Sequence, residues 1–223
     1  MQYKLHIAFA SRPDMVDDAV ESVDAIGNIH LWPNGDNWQY LRTRCVGLAD
    51  VHRLPPMAPV SIINLLLHKS WDDDVMFWMH NDAYAKPGVA KRLLQHVTDL
   101  HNSDKKWGAV FTHYDVLCAL NMKAVREIGF WDPMFFQYTA DVEYYGRMRA
   151  AGWEIDESTF GKDDVEHRQG SITVQSDPSF NYRTQWRERT NFDKNYHVLK
   201  WGSWPGQPFK YSTPFNGKTE KFQ

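Results

Sequence analysis

The stretch Val75–Pro87, VMFWMHNDAYAKP, predicts the centre of the fold. Its first five residues are apolar without alternation, which is typical of a strand that is covered on both faces of a parallel sheet. The run ends at the polar sequence His80-Asn81-Asp82. Because ligands of open α/β sheets bind beyond the carboxyl ends of the strands, we expect the Asp82 carboxylate at a ligand site. Capping of the helix that starts near Pro87 is the alternative role for Asp82.

The composition is that of a soluble globular protein with one large or two small domains. The chain has 223 residues, of which 43% are hydrophobic and 24% charged. No apolar run reaches the roughly 18 residues of a membrane span, and the N-terminus lacks the pattern of a signal peptide, so we expect a cytoplasmic protein. A net charge of -3 and a pI near 6.3 give no global attraction to nucleic acids or anionic membranes. Cys45 and Cys118 lack the spacing of a metal or disulfide framework and are predicted to be reduced core residues.

Strands and helices alternate on both sides of the central strand. Besides the central one, apolar runs predict strands at 3–10, 29–32, 107–112, 117–122 and 154–160. Helical spacing predicts helices over 14–26, 60–70, 89–100, 125–128 and 141–151. This order begins as a βαβ unit and favours a mostly parallel α/β sheet flanked by helices.

Two acidic turns are candidates that the pattern explains without a ligand. Asp72-Asp73-Asp74 has carboxylates that are suitable for a hard cation. However, it precedes the central strand, at the sheet edge opposite the ligand crevice, so we interpret it as a solvated turn. Asp36, in the turn Asn34-Gly35-Asp36, is either a ligand contact or a turn former.

Further polar residues follow the later strands. His113-Tyr114-Asp115 comes after the strand at 107–112, at the edge where ligands are expected. Asp141 is in the first turn of a predicted helix, where it serves either the helix dipole or a general-base role. Glu143 faces elsewhere on that helix. His167 lies in a polar loop, where a surface role competes with ligand binding.

The segment 129–153 carries a more specific pattern, which resembles the family 2 inverting glycosyltransferases of the GT-A fold. It matches their signature G-F-D-x-x-F-F, E-D-x-D, R, A-G at Gly129-Phe130-Trp131-Asp132-Pro133, Phe135-Phe136, Ala140-Asp141-Val142-Glu143, Arg147 and Ala151-Gly152-Trp153. The resemblance extends over residues 4–171, and Lys200-Trp201-Gly202 is similar to a tail found in some members. It implies a GT-A domain at residues 1–180. Residues 181–223 are then a basic, aromatic and irregular C-terminal tail that packs on this domain or closes over it.

The resemblance also implies the site residues. The family's DxD metal motif falls on His80-Asn81-Asp82, so that only the last carboxylate is kept. Asp82 and His167 become the ligands of Mn²⁺ or Mg²⁺, and Asp141 becomes the catalytic base. The nucleotide donor is held by the loop after the first strand and by nearby polar groups, namely Ala10, Ser11, Arg12, Asn34, Asp36, Asn81 and Arg168. The chain departs from the family at His80 and at Pro33, where the family has aspartates.

The expected function is therefore a metal-dependent, inverting transfer of a sugar from a nucleotide-diphosphate donor to an acceptor hydroxyl. The acceptor stays open between a glycan, a protein, a lipid-linked sugar and a modified nucleic acid base. Two alternatives use the same fold: a non-catalytic sugar- or nucleotide-binding protein, and a sugar nucleotidyltransferase. The second ordinarily carries a glycine-rich phosphate loop after the first strand, and Ser11-Arg12-Pro13 contains no glycine.

Overall fold

The computed structural model describes residues 1–9, 13–34, 49–52, 54–55, 57–136, 139–168 and 182–217, with backbone only at 13–14 and 182–186. The strands are β1 (Tyr3–Phe9), β2 (Ile29–Pro33), β3 (Ala49–Val51), β4 (Val75–His80), β5 (Ala83–Ala85), β6 (Trp107–Thr112), β7 (Tyr114–Asn121), β8 (Glu154–Asp156) and β9 (Val165–His167). The helices are α1 (Pro13–Ser22), α2 (Pro59–Lys69), α3 (Val89–His101), α4 (Met122–Ile128), α5 (Ala140–Ala150) and α6 (Tyr182–Trp201), followed by a 3-10 turn at Pro214–Gly217.

Seven of the described strands form one sheet in the order β3-β2-β1-β4-β7-β6-β8. All its neighbouring pairs are parallel except those of β7, which runs antiparallel to both β4 and β6. The predicted mostly parallel α/β sheet is thereby confirmed. Because β7 is reversed, its first residues lie at the same edge of the sheet as the carboxyl ends of β1, β4 and β6.

The central strand β4 is buried because each face of the sheet carries helices. Val75, Phe77 and Met79 pack into one core cluster with apolar residues of α1 and α3. Met76 packs into a second cluster with α2, α4 and α5. The unbroken apolar run of β4 therefore supplies both layers, as expected for a strand inside a three-layer α/β domain.

The signature segment and the end of α6 meet in a buried ionic network. Lys200 Nζ donates to Glu143 Oε1 and to Asp132 Oδ2, both at 2.7 Å. Trp201 Nε1 and Arg147 Nε also donate to the Glu143 carboxylate, at 3.1 Å each. Glu143 is fully buried, so removing either partner would leave an uncompensated charge in the core. These residues of the signature thus dock α6 against α5.

Two expectations are corrected here. The tail after Asn181 is not irregular throughout, since 182–201 forms the 20-residue helix α6. Asp72-Asp73-Asp74 is not uniformly solvated, because Asp73 is 3% exposed and accepts a hydrogen bond from Lys4.

Cys118 is a buried free thiol, as predicted, and Cys45 lies outside the described residues. Within the described part of the chain, no helix has the length and hydropathy needed to cross a membrane.

A chain of histidines crosses the first three strands of the sheet. His6 is fully buried, and its Nδ1 accepts a hydrogen bond from Trp32 Nε1 at 2.9 Å. Its Nε2 therefore carries the proton and donates to Ser70 Oγ, 2.9 Å away. Next to it, His30 Nδ1 lies 2.9 Å from His52 Nε2. Burial, with the charges of neighbouring His30 and Lys4, holds the pKa of His6 well below its usual value.

We expect this network to make the fold sensitive to mild acid. The unfolded chain takes up a proton on His6 below about pH 6.5, whereas the folded chain resists it, so the free energy of unfolding falls as the pH drops towards 5. The loss from one such histidine approaches about 1.4 kcal/mol per pH unit. Denaturant titrations of wild type and His6→Gln between pH 7.5 and 5 measure it, and the variant should show the shallower slope. The exposed His68→Gln is the control, and an equal slope in all three proteins would contradict the prediction.

Candidate functional site

Two potential ligands come from the end of the central strand. The six residues of β4 end at His80, and the turn at Asn81 and Asp82 leads into β5. Asp82 is only 3% exposed, although it lies in a turn. The side chain of His80 is 34% exposed. The strand thus delivers a buried carboxylate and an accessible imidazole to the expected edge of the sheet.

His167 reaches the same place through a separate two-stranded sheet. Strands β5 and β9 pair antiparallel, with Ala83 opposite His167. The backbone N–H of Arg168 donates to the carbonyl of Asp82 at 2.8 Å. As a result, His167 Nε2 lies 3.3 Å from Asp82 Oδ2, and the rings of His80 and His167 are 5.5 Å apart. Residues 85 positions apart in sequence are therefore brought together by main-chain pairing.

His80, Asp82 and His167 form a group that could hold a metal ion. One ligand atom from each lies within 4.8 Å of the others, and no further group of this kind is found among the described residues. Asp82 Oδ2 is buried and faces His167 Nε2 at 3.3 Å, outside regular hydrogen-bond geometry. A buried carboxylate without a well-aligned donor is costly unless a positive charge compensates it, and either a protonated His167 or a cation supplies that charge. These residues therefore fit a divalent cation, and two imidazoles with one carboxylate suit Mn²⁺ or Zn²⁺ better than Mg²⁺.

The protonation states of Asp82 and His80 suit metal binding, whereas the raised pKa of His167 favours a proton that a bound cation would have to displace. Burial alone would raise the pKa of Asp82, but the contact with His167 and the nearby His80 lower it below its ordinary value. The Asp82 carboxylate in turn raises the pKa of His167. Loss of water around the ring lowers the pKa of His80, although a third of its side chain is exposed. His80 is thus neutral and has a lone pair available near pH 7.

The turn between β6 and β7 adds two residues to the site. Tyr114 has a φ of 53°, in the left-handed region, and the β6–β7 register shifts at Phe111/Thr112. Such irregularities re-aim side chains at the end of a strand. Asp115, at the start of β7, places Oδ1 3.9 Å from His80 Nε2 and accepts a hydrogen bond from the Tyr145 hydroxyl at 3.2 Å.

Asp141 stands near this turn at the start of α5. The residue that precedes the helix, Thr139, has a φ of 78°. Burial raises the pKa of Asp141, although hydrogen bonds from the helix start and from the Tyr114 hydroxyl offset part of the effect. Burial and the Asp141 carboxylate raise the pKa of Asp115 to about 7. Asp115 therefore connects His80, which lies 3.9 Å away, with helix α5, where its partner Tyr145 stands one turn after Asp141.

Of the other residues predicted to bind the donor, some lie in the described part of the chain and some outside it. Ala10, Ser11, Arg12 and Asp36 lie outside the described residues. Asn34 follows β2 at the expected edge, and its amide exchanges two hydrogen bonds with the backbone of Met57, at 2.7 and 2.9 Å. Asn81 lies in the β4–β5 turn.

Arg168 follows β9 directly. Its guanidinium pairs with Asp18 and lies 4.7 Å above the Tyr84 ring. Glu166 is 3.7 Å away. A donor diphosphate would have to compete with these two carboxylates for the guanidinium.

Sequence reasoning missed two members of the site. In the sequence, His80 stands out only as a departure from the DxD motif, yet in the structure it belongs to the metal-capable group. Asp115 was noted at the ligand edge without a role. The signal for both was the same: a titratable residue directly after, or at the start of, a strand at that edge.

Comparisons with solved structures identify the architecture as the GT-A fold of glycosyltransferases. The mannosyltransferase PcManGT from Pyrobaculum calidifontis, solved with GDP-mannose and Mn²⁺, matches with a TM-score of 0.56 at 9% identity, covering 70% of this chain and 54% of the other. Glucosyl-3-phosphoglycerate synthase from Mycobacterium tuberculosis, solved with Mn²⁺, UDP and glucosyl-3-phosphoglycerate, matches with a TM-score of 0.54 at 10% identity, covering 75% and 72%. GalNAc-T7, solved with UDP, GalNAc and Mn²⁺, matches with a TM-score of 0.53 at 11% identity, covering 69% and 41%.

The chain thus spans about half the length of the mannosyltransferase. No family model matches the sequence, and no curated protein matches it. At these identities the likeness establishes the fold, which confirms the predicted GT-A architecture.

The β5–β9 pairing predicts how backbone changes affect metal binding. Arg168→Pro removes the N–H that bonds Asp82, which should release His167 and weaken Mn²⁺ binding by roughly 10- to 100-fold. Arg168→Ala keeps that N–H and should bind Mn²⁺ like wild type. Titration with Mn²⁺ alone, followed by electron paramagnetic resonance of the free ion, measures both. Equal affinities for the two variants would show that the pairing does not hold the site.

Proposed function

We propose that the protein is a metal-dependent inverting glycosyltransferase that uses a nucleotide-diphosphate sugar as donor. The observation that carries the proposal is the convergence of a metal-capable group, His80, Asp82 and His167, with two carboxyl groups, Asp115 and Asp141, at one edge of a GT-A sheet. The solved structures with this fold that contain GDP-mannose or UDP together with Mn²⁺ support the choice of donor class.

His80, Asp82 and His167 are the residues that would hold the cation. When bound, a divalent cation supplies Lewis-acid stabilisation for the negative charge on the leaving diphosphate. Arg168 adds a positive charge directly after His167 and is our candidate for a second contact to the phosphates. Asn34 and Asn81, with Ala10, Ser11, Arg12 and Asp36, remain proposed contacts to the nucleotide.

Asp141 is the proposed general base. Its carboxyl is held by the start of α5 and by Tyr114, and burial raises its pKa, which makes it a better proton acceptor than a solvated carboxylate. An acceptor hydroxyl that gives its proton to Asp141 can attack the anomeric carbon on the face opposite the diphosphate. A single displacement of this kind inverts the configuration.

The C-terminal segment belongs, in this proposal, to the same unit as the GT-A domain. Residues 181–223 meet residues 1–180 through Lys200 and Trp201, which bind Glu143 of α5. Since α5 also carries Asp141, the docked segment stabilises the helix that holds the base. The acceptor stays unspecified among glycans, proteins, lipid-linked sugars and modified nucleic acid bases.

The decisive test uses a panel of UDP-, GDP- and TDP-sugars with and without Mn²⁺, scored by thermal shift and by slow hydrolysis of the donor. We expect wild type to hydrolyse at least one donor. Asp141→Asn should lower that rate by about 10²- to 10⁴-fold, because the base is lost, while donor affinity stays nearly unchanged. The exposed Asp72→Asn is the matched control. Stabilisation of wild type without turnover would favour a binding protein, and equal rates for wild type and Asp141→Asn would remove Asp141 from the role.

The ligand set also predicts metal preference. Wild type should bind Mn²⁺ more tightly than Mg²⁺, because imidazole is a poor ligand for Mg²⁺. His80→Asp should narrow the ratio of the two affinities by roughly tenfold, about 1.4 kcal/mol, since it replaces a nitrogen ligand by oxygen. Calorimetric titration of the nucleotide-free protein with each metal measures the ratio. The exposed His68→Asp should leave it unchanged, and an unchanged ratio in His80→Asp would exclude His80 from the ligand set.

A further inference from the structure

Asp115 is the one carboxyl of the site that the proposed chemistry leaves without a task. Its side chain bridges two elements of the site: Oδ1 lies 3.9 Å from His80 Nε2, and Oδ2 accepts a hydrogen bond at 3.2 Å from Tyr145, which stands one turn after Asp141 on α5. It is therefore placed between the group that would hold the cation and the proposed base.

We propose that Asp115 contacts the transferred sugar and determines which donor sugars the site accepts. The inference rests on the proposed function, in which the sugar must lie between the diphosphate and the base. The diphosphate is fixed at His80, Asp82 and His167, and the base is fixed at Asp141. A side chain that reaches towards both ends faces the ring that bridges them.

The chemistry of a carboxylate suits this task. The Asp115 carboxyl group offers acceptor positions on two oxygens and one donor when it is protonated, and a sugar offers pairs of neighbouring hydroxyl groups that can match them. The Tyr145 hydroxyl uses one acceptor position, on Oδ2. Hydrogen bonds to a buried carboxyl group discriminate between sugars that place a hydroxyl within reach of Oδ1 and sugars that do not, because a buried polar atom without a partner is costly.

The local structure indicates that Asp115 is held in place at a cost to stability. The residue is 7% exposed beside a second carboxyl, and the preceding Tyr114 is in a left-handed backbone conformation. Burial of a carboxyl group and a left-handed non-glycine residue both destabilise a fold, and both occur preferentially at functional sites. The pairing with Tyr145 alone would be served by an uncharged side chain of the same shape.

The test compares each nucleotide-sugar with its nucleoside diphosphate, so that the sugar is the only difference. Binding of UDP and UDP-glucose, and of GDP and GDP-mannose, is measured calorimetrically with Mn²⁺ for wild type, Asp115→Asn and Tyr145→Phe. In Asp115→Asn we expect the affinity for the nucleotide-sugar to fall by roughly 10- to 100-fold, while that for the diphosphate stays within about twofold. Tyr145→Phe removes the hydroxyl partner but keeps the carboxylate, so it should preserve both affinities.

Four results would overturn the inference. Equal weakening of nucleotide-sugar and diphosphate in Asp115→Asn would assign Asp115 to the metal end of the site. The same loss in Tyr145→Phe would assign it to structure. Suppose that wild type binds and hydrolyses UDP-glucose or GDP-mannose, and that Asp115→Asn still binds the nucleotide-sugar as tightly as wild type does. That result would exclude the role of Asp115 in sugar recognition and leave the proposed function intact. Failure of wild type to bind any of the four nucleotides would remove the proposed function together with it.

Discussion

The site depends on a short piece of backbone pairing outside the main sheet. Strands β5 and β9 have three residues each, and the bond from Arg168 N–H to the Asp82 carbonyl extends their ladder into the turn. This pairing fixes His167 opposite Ala83 and therefore beside Asp82. A shift of register by one residue would turn His167 to the other face of the ladder and replace it by Glu166 or Arg168. The identity of the metal-capable group is thus set by main-chain hydrogen bonds, before any side chain contributes.

The main sheet supplies the other half of the site through its single reversed strand. Because β7 runs against its neighbours, its first residue pair, Tyr114 and Asp115, appears where parallel strands end. Helix α5 then brings Asp141 to the same edge, and its position is secured from behind by the network of Glu143, Lys200 and Trp201. Asp141 and Glu143 thus lie on different faces of the first turn of α5, which explains why two residues so close in sequence have unrelated environments.

Much of this was accessible from sequence, for identifiable reasons. The apolar run of β4 and the helical spacing of α3 depend on local periodicity, and both elements lie within one residue of their predicted bounds. Asp82 and His167 were predicted through resemblance to a motif, and the structure brings them together. Helix α6 was missed because its sequence is polar and its stability comes from Lys200 and Trp201 packing on α5, which no local pattern reveals. No role for His80 or Asp115 followed from the sequence, because their roles depend on the residues that the sheet places beside them.

The position of Asp115 also gives a physical account of the altered metal motif. Where the DxD pattern has a first aspartate, this chain has His80, so the cation would face one carboxylate instead of two. Asp115 Oδ1 lies 3.9 Å from His80 Nε2, so a second carboxyl group is present near the proposed cation site, on the side that faces Asp141. On the proposed function, the second carboxyl group of the site therefore lies towards the sugar and not at the diphosphate. With one carboxylate fewer, the protein attracts the cation less strongly by charge. The imidazole nitrogen offsets this loss, because its bond to the metal is directional and favours transition metals. On the same proposal, this displacement places a hydrogen-bonding carboxyl group where sugar hydroxyls would lie, so that metal choice and sugar choice both follow from the residues around His80.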